Sequence, residues 1–160
     1  MPDPGASPPP GHDVASALEG RLGAAATRKW LDREGWHYEL IEHEPTFRAR
    51  DEALASGTEP EHTAKALVLR GAGGLLLAVI PASGRLHLRK LQAALDDRSL
   101  RMASEAEIER AFPIFKVGSL PPLGSLLGVP VVVDERLAHH RAWCAAPATT
   151  GTRSRWPRRS

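Results

Sequence analysis

The chain has 160 residues, 42% hydrophobic and 25% charged, as expected of one soluble globular domain with a single hydrophobic core. Its one cysteine, Cys144, excludes an intramolecular disulfide framework and a multi-cysteine zinc site, and no apolar run is long enough to span a bilayer. The pI near 9.0 points towards nucleic acid, but no acidic residue follows Glu135 while six arginines do; residues 1–135 carry 15 basic against 19 acidic residues, a net charge of −4, so a broad electrostatic grip on a phosphate backbone is not supported for the body and any RNA contact has to be local.

Residues 1–12 hold five prolines and no large apolar side chain, the composition of an unstructured segment. They carry no basic stretch followed by an apolar one, so they do not read as a secretion signal, and a reducing, cytoplasmic setting is the default expectation. Residues 14–34 predict a helix with Leu18, Leu22, Ala25, Ala26, Trp30 and Leu31 on an uneven apolar face and Gly35 as its stop. Alternation over 36–42 predicts a half-buried strand. His43-Glu44-Pro45-Thr46 is a turn, with Thr46 placed to cap a short helix running through Ser56.

The clearest signal is a hairpin: Ala66–Arg70, the reversal Gly71-Ala72-Gly73-Gly74, then Leu75–Pro81. Arg85–Leu88 alternates and predicts a short strand, Lys90–Leu95 a short helix, and Leu100–Ala103 another strand. Ser104-Glu105-Ala106-Glu107 fits a capping box opening a helix that ends near Phe112. Val117–Gly128 is loop-like, Val129–Asp134 a buried-type strand, and Leu137–Trp143 the start of a helix or turn. Beyond Cys144 there is no periodicity. The organised domain is drawn over 23–146, with 1–22 a poorly ordered Pro-rich N-terminus and 147–160 a disordered Arg-rich tail. Hairpins and helices without regular βαβ alternation predict an α+β fold: a mixed, mostly antiparallel, partly barrel-like sheet with surrounding helices.

Several familiar sites are missing. There is no Gly-x-x-x-x-Gly-Lys-Ser/Thr phosphate loop and no Gly-x-Ser-x-Gly elbow. The seven histidines are scattered, the adjacent His139 and His140 would point apart, and no metal site or cofactor is expected. Two features remain. Lys65, one of four lysines, stands at the mouth of the first hairpin strand; a lysine there can be partly desolvated and grip a carbonyl or phosphate oxygen, or can simply guard a sheet edge. Gly118-Ser119-Leu120-Pro121-Pro122-Leu123-Gly124 is a stiffened loop whose backbone N–H groups could bind a ligand, or a plain proline-rich connection.

Taken in order, the pieces from about Trp36 to Leu137 resemble the YbaK/prolyl-tRNA synthetase-associated domain family. They are the His43–Thr46 turn, Ala64-Lys65, Leu76–Pro81, Arg89-Lys90-Leu91, Arg101–Glu107, Val117–Gly124 and Gly128–Asp134. The resemblance implies hydrolysis of the ester between a wrong amino acid and its tRNA, acting in trans. It implies Lys65 as the key active-site side chain, with His43, Thr46, Gly118, Ser119, Leu120, Pro121, Pro122 and Gly124 around the substrate. It implies no metal, and catalysis assisted by the tRNA ribose hydroxyls and an ordered water. The partners implied are the acceptor end of an aminoacyl-tRNA and, as a further candidate, an aminoacyl-tRNA synthetase; no membrane is implied. Two departures stand out: Leu123 replaces a frequent Phe, and a family Gly-x-His segment and final strand have no evident counterpart beyond Pro147.

The rival reading is a module that binds an aminoacyl compound or CCA end with little or no turnover. A third, an interaction protein working through its basic tail, rests on residues 148–160 alone. The deacylase reading requires Lys65 and the loop beginning at Gly118 to converge on one cleft.

Overall fold

The structure, a computed structural model, describes residues 12–36, 38–42, 59–115, 117, 118, 120–139, 142–145 and 152–157; side chains are described for 22–36, 38, 59, 61–115, 117, 118 and 120–139. The described elements are α1 (His12–Arg33), β1 (Glu39–Glu42), a 3-10 turn (Pro60–His62), β2 (Ala64–Gly71), β3 (Gly74–Pro81), α2 (Leu88–Ala94), β4 (Arg101–Met102), α3 (Glu105–Ala111), α4 (Gly124–Leu127), β5 (Val131–Val133), α5 (Glu135–Ala138), β6 (Ala142–Ala145) and β7 (Thr152–Pro157). The fold is α+β, built on a mixed four-stranded sheet in the order β4-β2-β3-β5 and a three-stranded sheet in the order β1-β7-β6. The four-stranded sheet is open and not closed into a barrel; β6 lies against β2 and the 3-10 turn.

Local chemistry explains the elements that the sequence marks. At the end of α1, Gly35 takes a left-handed φ of 72°, its N–H donates to Asp32 O, and Trp36 N–H donates back to Leu31 O. This is the paired-bond stop in which a glycine satisfies orphan carbonyls, and Trp36 then packs against the cluster containing Leu31. The hairpin pairs from Ala64↔Pro81 to Gly71↔Gly74, so the reversal needs only Ala72 and Gly73. Asp97 ties the reversal down: its Oδ2 accepts from Ala72 N–H at 2.8 Å, and its Oδ1 accepts from Ser99 N–H at 2.9 Å. Ser104 and Glu107 close the expected capping box at the head of α3, and Glu107 also takes a two-pronged pair from Arg101 at 2.9 Å.

Strand alternation gives the hairpin two apolar faces. Val68 and Leu77 point to one, where Phe112, Phe115 and Leu120 bury them; Ala64 and Val79, on the same face, meet Leu31 of α1 and Leu137 of α5. The other face carries Lys65, Leu67 and Leu69 opposite Ile80, Ala78 and Leu76, and is covered by Leu86, Leu88, Leu91 and Leu100. Each fully buried leucine contributes about 1.5–3 kcal/mol relative to exposure.

Several segments differ from the sequence reading. Residues 85–88 form no strand: Leu86 and Leu88 do point inward, but α2 begins at Leu88 and no described strand pairs with them. The alternation there reports a half-buried path, not a ladder. The run 129–134 narrows to Val131–Val133 at the sheet's edge, parallel to β3, with Val131 37% and Val133 49% exposed, so it is not a buried-type strand. Helix α1 begins at His12, inside the span 1–22 read as poorly ordered, and β7 occupies 152–157 of the span 147–160 read as a disordered tail. Strand β7 is central in its sheet, with ladders to β1 and β6 on its two edges. Non-local backbone pairing specifies it, which hydrophobic periodicity cannot register. The helix expected from Thr46 to Ser56 lies outside the described residues.

Candidate functional site

Lys65 is the second residue of β2 and stands directly opposite Ile80 of β3. Beyond β3 the chain turns at 81–84, closed by Gly84 N–H donating to Pro81 O, with Ala82 N–H donating to Thr63 O at 2.7 Å. That turn brings the Gly84 carbonyl over the strand mouth, where it accepts from Lys65 Nζ at 2.9 Å. Burial lowers the Lys65 pKa below the ordinary lysine value, and the neighbouring Arg85 cation lowers it further. An ammonium has three donors, so the bond to Gly84 fixes its direction and leaves two N–H groups for a ligand.

On the same face a cleft of about 520 Å³ opens between β3, α2 and the end of β5. Ala78, Ile80, Leu86, Leu91 and Val132 supply apolar lining, and Arg85, His87, Lys90, Asp134, Glu135 and Arg136 the polar groups. Arg136 is committed to Asp134 by Nε–H to Oδ1 at 3.0 Å and Nη2–H to Oδ2 at 2.8 Å, and that pairing holds the Asp134 carboxyl below its usual pKa. Its guanidinium also lies against Gly84, where an added Cβ would meet Nη2 at 2.9 Å. Lys65, the Gly84 carbonyl, Arg85 and the Asp134–Arg136 pair therefore form one constellation. Among the described residues no group of three His, Cys, Asp or Glu side chains could hold a metal ion.

The loop expected to face Lys65 is placed differently. Gly118 is exposed with a φ of 86°, a conformation that favours glycine, and no atom would meet a Cβ there. Leu120, Pro121 and Pro122 are buried; Leu120 packs with Val68 and Leu77, and Leu123 with the Ala64, Val79 and Leu137 cluster. These are the partners on the hairpin face opposite to Lys65. The structure thus brings Lys65 together with Gly84 and Arg85, not with the buried part of the loop. Gly124 is buried because α4 runs close to β5: a Cβ there would come within 2.5 Å of Val129 O and would overlap Val131 Cγ2. His43, Thr46 and Ser119 lie outside the described residues.

Sequence reasoning missed the Gly84 acceptor, nineteen positions from Lys65, together with Arg85 and the Asp134–Arg136 pair. The available signal was Pro81-Ala82-Ser83-Gly84, a turn sequence after a strand whose register sets Lys65 near its far end.

The chain matches the aminoacyl-tRNA editing domain family over residues 43–154, so the match runs past Leu137 and into the span that β7 occupies. It is 31% identical over 110 residues to the proline–tRNA ligase of Thermosipho melanesiensis, a stretch covering 68% of this chain and 19% of the ligase. It is 37% identical over 68 residues to the proline–tRNA ligase of Thermotoga maritima, covering 42% of this chain and 12% of that one. The chain therefore spans less than a fifth of the length of these curated relatives. Among solved structures, one proposed to be a trans-editing enzyme for prolyl tRNA synthetase superposes with a TM-score of 0.73 at 28% identity, covering 83% of this chain and 85% of its own. A scaffold protein from computational epitope grafting superposes equally well, at 25% identity over 84% and 86% of the two chains. No described helix is long and apolar enough to cross a membrane.

Proposed function

The chain belongs to the aminoacyl-tRNA editing domain family, and from that premise we propose that it hydrolyses the ester joining a wrong amino acid to its tRNA, in trans, with Lys65 as the cation that positions the acylated end. The observation that carries this reading is the half-buried Lys65 ammonium, aimed by the Gly84 carbonyl, with Ile80 opposite it and Arg85 next to Gly84 both lining an open cleft.

The chemistry demands little. In the proposed reaction water attacks the ester carbonyl carbon, the carbon–oxygen bond to the ribose breaks, and the ribose oxygen takes up a proton. The products are a free amino acid and an uncharged tRNA. The ester is already activated, so placing the water and stabilising the developing oxyanion suffice. The two uncommitted N–H groups of Lys65 are suited to the carbonyl oxygen of the acyl group. Loss of one preorganised donor of this kind costs about 10²–10³ in rate. A neighbouring ribose hydroxyl serves in place of a protein base. His43, Thr46, Gly118 and Ser119 are the further proposed substrate contacts. Leu120, Pro121, Pro122 and Gly124 enter as the buried base of the loop from which Gly118 stands exposed. The likeness to proline–tRNA ligases supports tRNA as the substrate class and a synthetase as the partner.

One observation favours the alternative, a module that binds the aminoacylated end with little turnover: the buried loop residues pack on the face away from Lys65, so the convergence of lysine and loop that the deacylase reading requires is left to the exposed Gly118 end of the loop. A panel of mischarged tRNAs separates the two readings. Release of amino acid from at least one, faster than the uncatalysed reaction, supports the deacylase. Saturable binding with no release from any supports the module and sinks the deacylase.

A further inference from the structure

Lys65 takes its direction from a turn that has few bonds of its own. Ala82 N–H donates to Thr63 O and Gly84 N–H to Pro81 O; among the described residues, Ser83 and Gly84 make no other hydrogen bond except the one Gly84 O accepts from Lys65. The side chain lying against this end of the turn is Arg136, from α5. Its own position is fixed from behind. Asp134 N–H donates to Val79 O at 2.8 Å, which ties Asp134 to β3. The Asp134 carboxylate then accepts from Arg136 N–H at 2.9 Å, capping α5, and takes the two-pronged pair from the same residue's guanidinium. A Cβ built on Gly84 would meet Nη2 at 2.9 Å and both Cζ and Nη1 at 3.5 Å, so a side chain at 84 would take the space that the guanidinium occupies. The contacts run from Val79 through Asp134, Arg136 and Gly84 to Lys65, and return to the hairpin where they began, since Val79 adjoins Ile80, the strand partner of Lys65.

Contact, not charge, is what Arg136 brings to Lys65. Its cation is answered by Asp134 and also feels Glu61, while Lys90 acts on Asp134 and Glu135 lines the same cleft. The neighbouring cation that acts on Lys65 is Arg85. We propose that Arg136, oriented by Asp134, is a positioning residue for the hydrolysis: by lying against Gly84 it holds the carbonyl that directs the Lys65 ammonium at the ester. The proposal rests on the deacylase reading for the role of Lys65. A misplacement of about 1 Å can cost about 10²-fold in rate, so an ammonium free to swing with its turn loses much of what it supplies.

Two substitutions break the contact in different ways. Arg136→Gln removes the guanidinium. Gly84→Ala keeps the guanidinium but displaces it, because the new Cβ falls on the end of a flexible side chain; Gly84 has no left-handed φ, so its backbone accepts alanine. Single-turnover release of amino acid from a mischarged tRNA is measured for each, above the uncatalysed rate, in the wild-type and Lys65→Ala backgrounds, with thermal midpoints showing that every protein is folded. In the wild-type background each substitution should lower the rate at saturating tRNA about tenfold and leave the half-saturating tRNA concentration unchanged. In the Lys65→Ala background neither should lower it further, because both act through that side chain. Full rate in either folded variant overturns the proposal. Equal losses in the two backgrounds also overturn it, and make Arg136 a substrate contact in its own right. If Arg136→Gln does not fold, Gly84→Ala alone decides. A second readout needs no activity: the ammonium signal of Lys65 in lysine-selective NMR, identified by its loss in Lys65→Ala. Its protons should exchange with water faster in both variants than in wild type. An unchanged signal overturns the proposal whatever the rates. Faster exchange in a protein that releases no amino acid from any tRNA supports the positioning contact and sinks the deacylase reading, so the two failures are distinguishable.

Discussion

Replacing Gly124 with alanine tests whether the second glycine of the 118–124 loop supports the fold or contacts a ligand. A Cβ at this position would stand 2.5 Å from Val129 O and would overlap Val131 Cγ2. The valine is 37% exposed at an edge strand and can rotate away, but the carbonyl belongs to the chain itself, which Val129 N–H fastens back to Gly124 O at 3.0 Å. Relief therefore has to come from displacing α4 against β5. Overpacking of this kind costs about 1–3 kcal/mol, only partly offset by the roughly 0.4–1 kcal/mol that alanine gains by restricting the unfolded chain. A net loss near 1–2 kcal/mol, with an m-value of about 1–3 kcal/mol per molar in urea, moves the unfolding midpoint down by roughly 1 M. Urea melts followed by far-ultraviolet circular dichroism measure it. An unchanged or raised midpoint refutes the close approach of α4 and β5, and an unchanged midpoint with lost release of amino acid from a mischarged tRNA would return Gly124 to the ligand.

Four further outcomes follow from the packing and the charges. Leu77→Ala, at a fully buried position against Val68, Phe112 and Phe115, should cost about 2–5 kcal/mol in the same melts. Asp134, Asp97 and Glu107 all have pKa values lowered, chiefly by hydrogen bonds from Arg136, Ser99 and Arg101 respectively. Their contribution is complete above the unfolded carboxylate pKa of about 4 and is lost as pH falls through the folded values, so urea midpoints should drop below pH 4, less steeply in Asp134→Asn. Because Lys65 has a lowered pKa, hydrolysis that needs its ammonium should decline as pH rises through a value beneath 10.5, and Lys65→Arg should move that limb to higher pH. With the sign reversed, folding stability relative to Lys65→Met should climb over the same interval, since the unfolded chain holds the proton more tightly.

The sequence was most legible where structure is decided locally. The glycine-rich reversal, tightened to Ala72 and Gly73, the Ser104–Glu107 capping box and the Gly35 stop each depend on a few adjacent residues, and all three stand within the segments where the sequence placed them. It was least legible where pairing is distant. The segment Thr152–Pro157 has no apolar rhythm, and its strand exists through backbone ladders to residues more than a hundred positions away on one side. The run Val129–Asp134 carries the composition of a central strand but forms an edge, because composition reports burial on average and not which neighbour is missing. At the site, Lys65 could be singled out as a lysine beside an apolar run. Its acceptor could not be foreseen, because the bond depends on how the turn after β3 folds back over the start of β2. The loop from Gly118 was legible as a loop, but the side of the hairpin it covers is set by Leu120 and Leu123 finding the even-numbered residues of β2, a tertiary choice.

The central claim is that one directed ammonium positions an aminoacyl ester for hydrolysis. Single-turnover release of amino acid from a mischarged tRNA, measured side by side for wild type and Lys65→Ala with matched unfolding midpoints, addresses it most directly. A fall of about 10²-fold or more in the rate is the predicted result. Equal rates in the two proteins would contradict it and leave the lysine as a guard on a sheet edge.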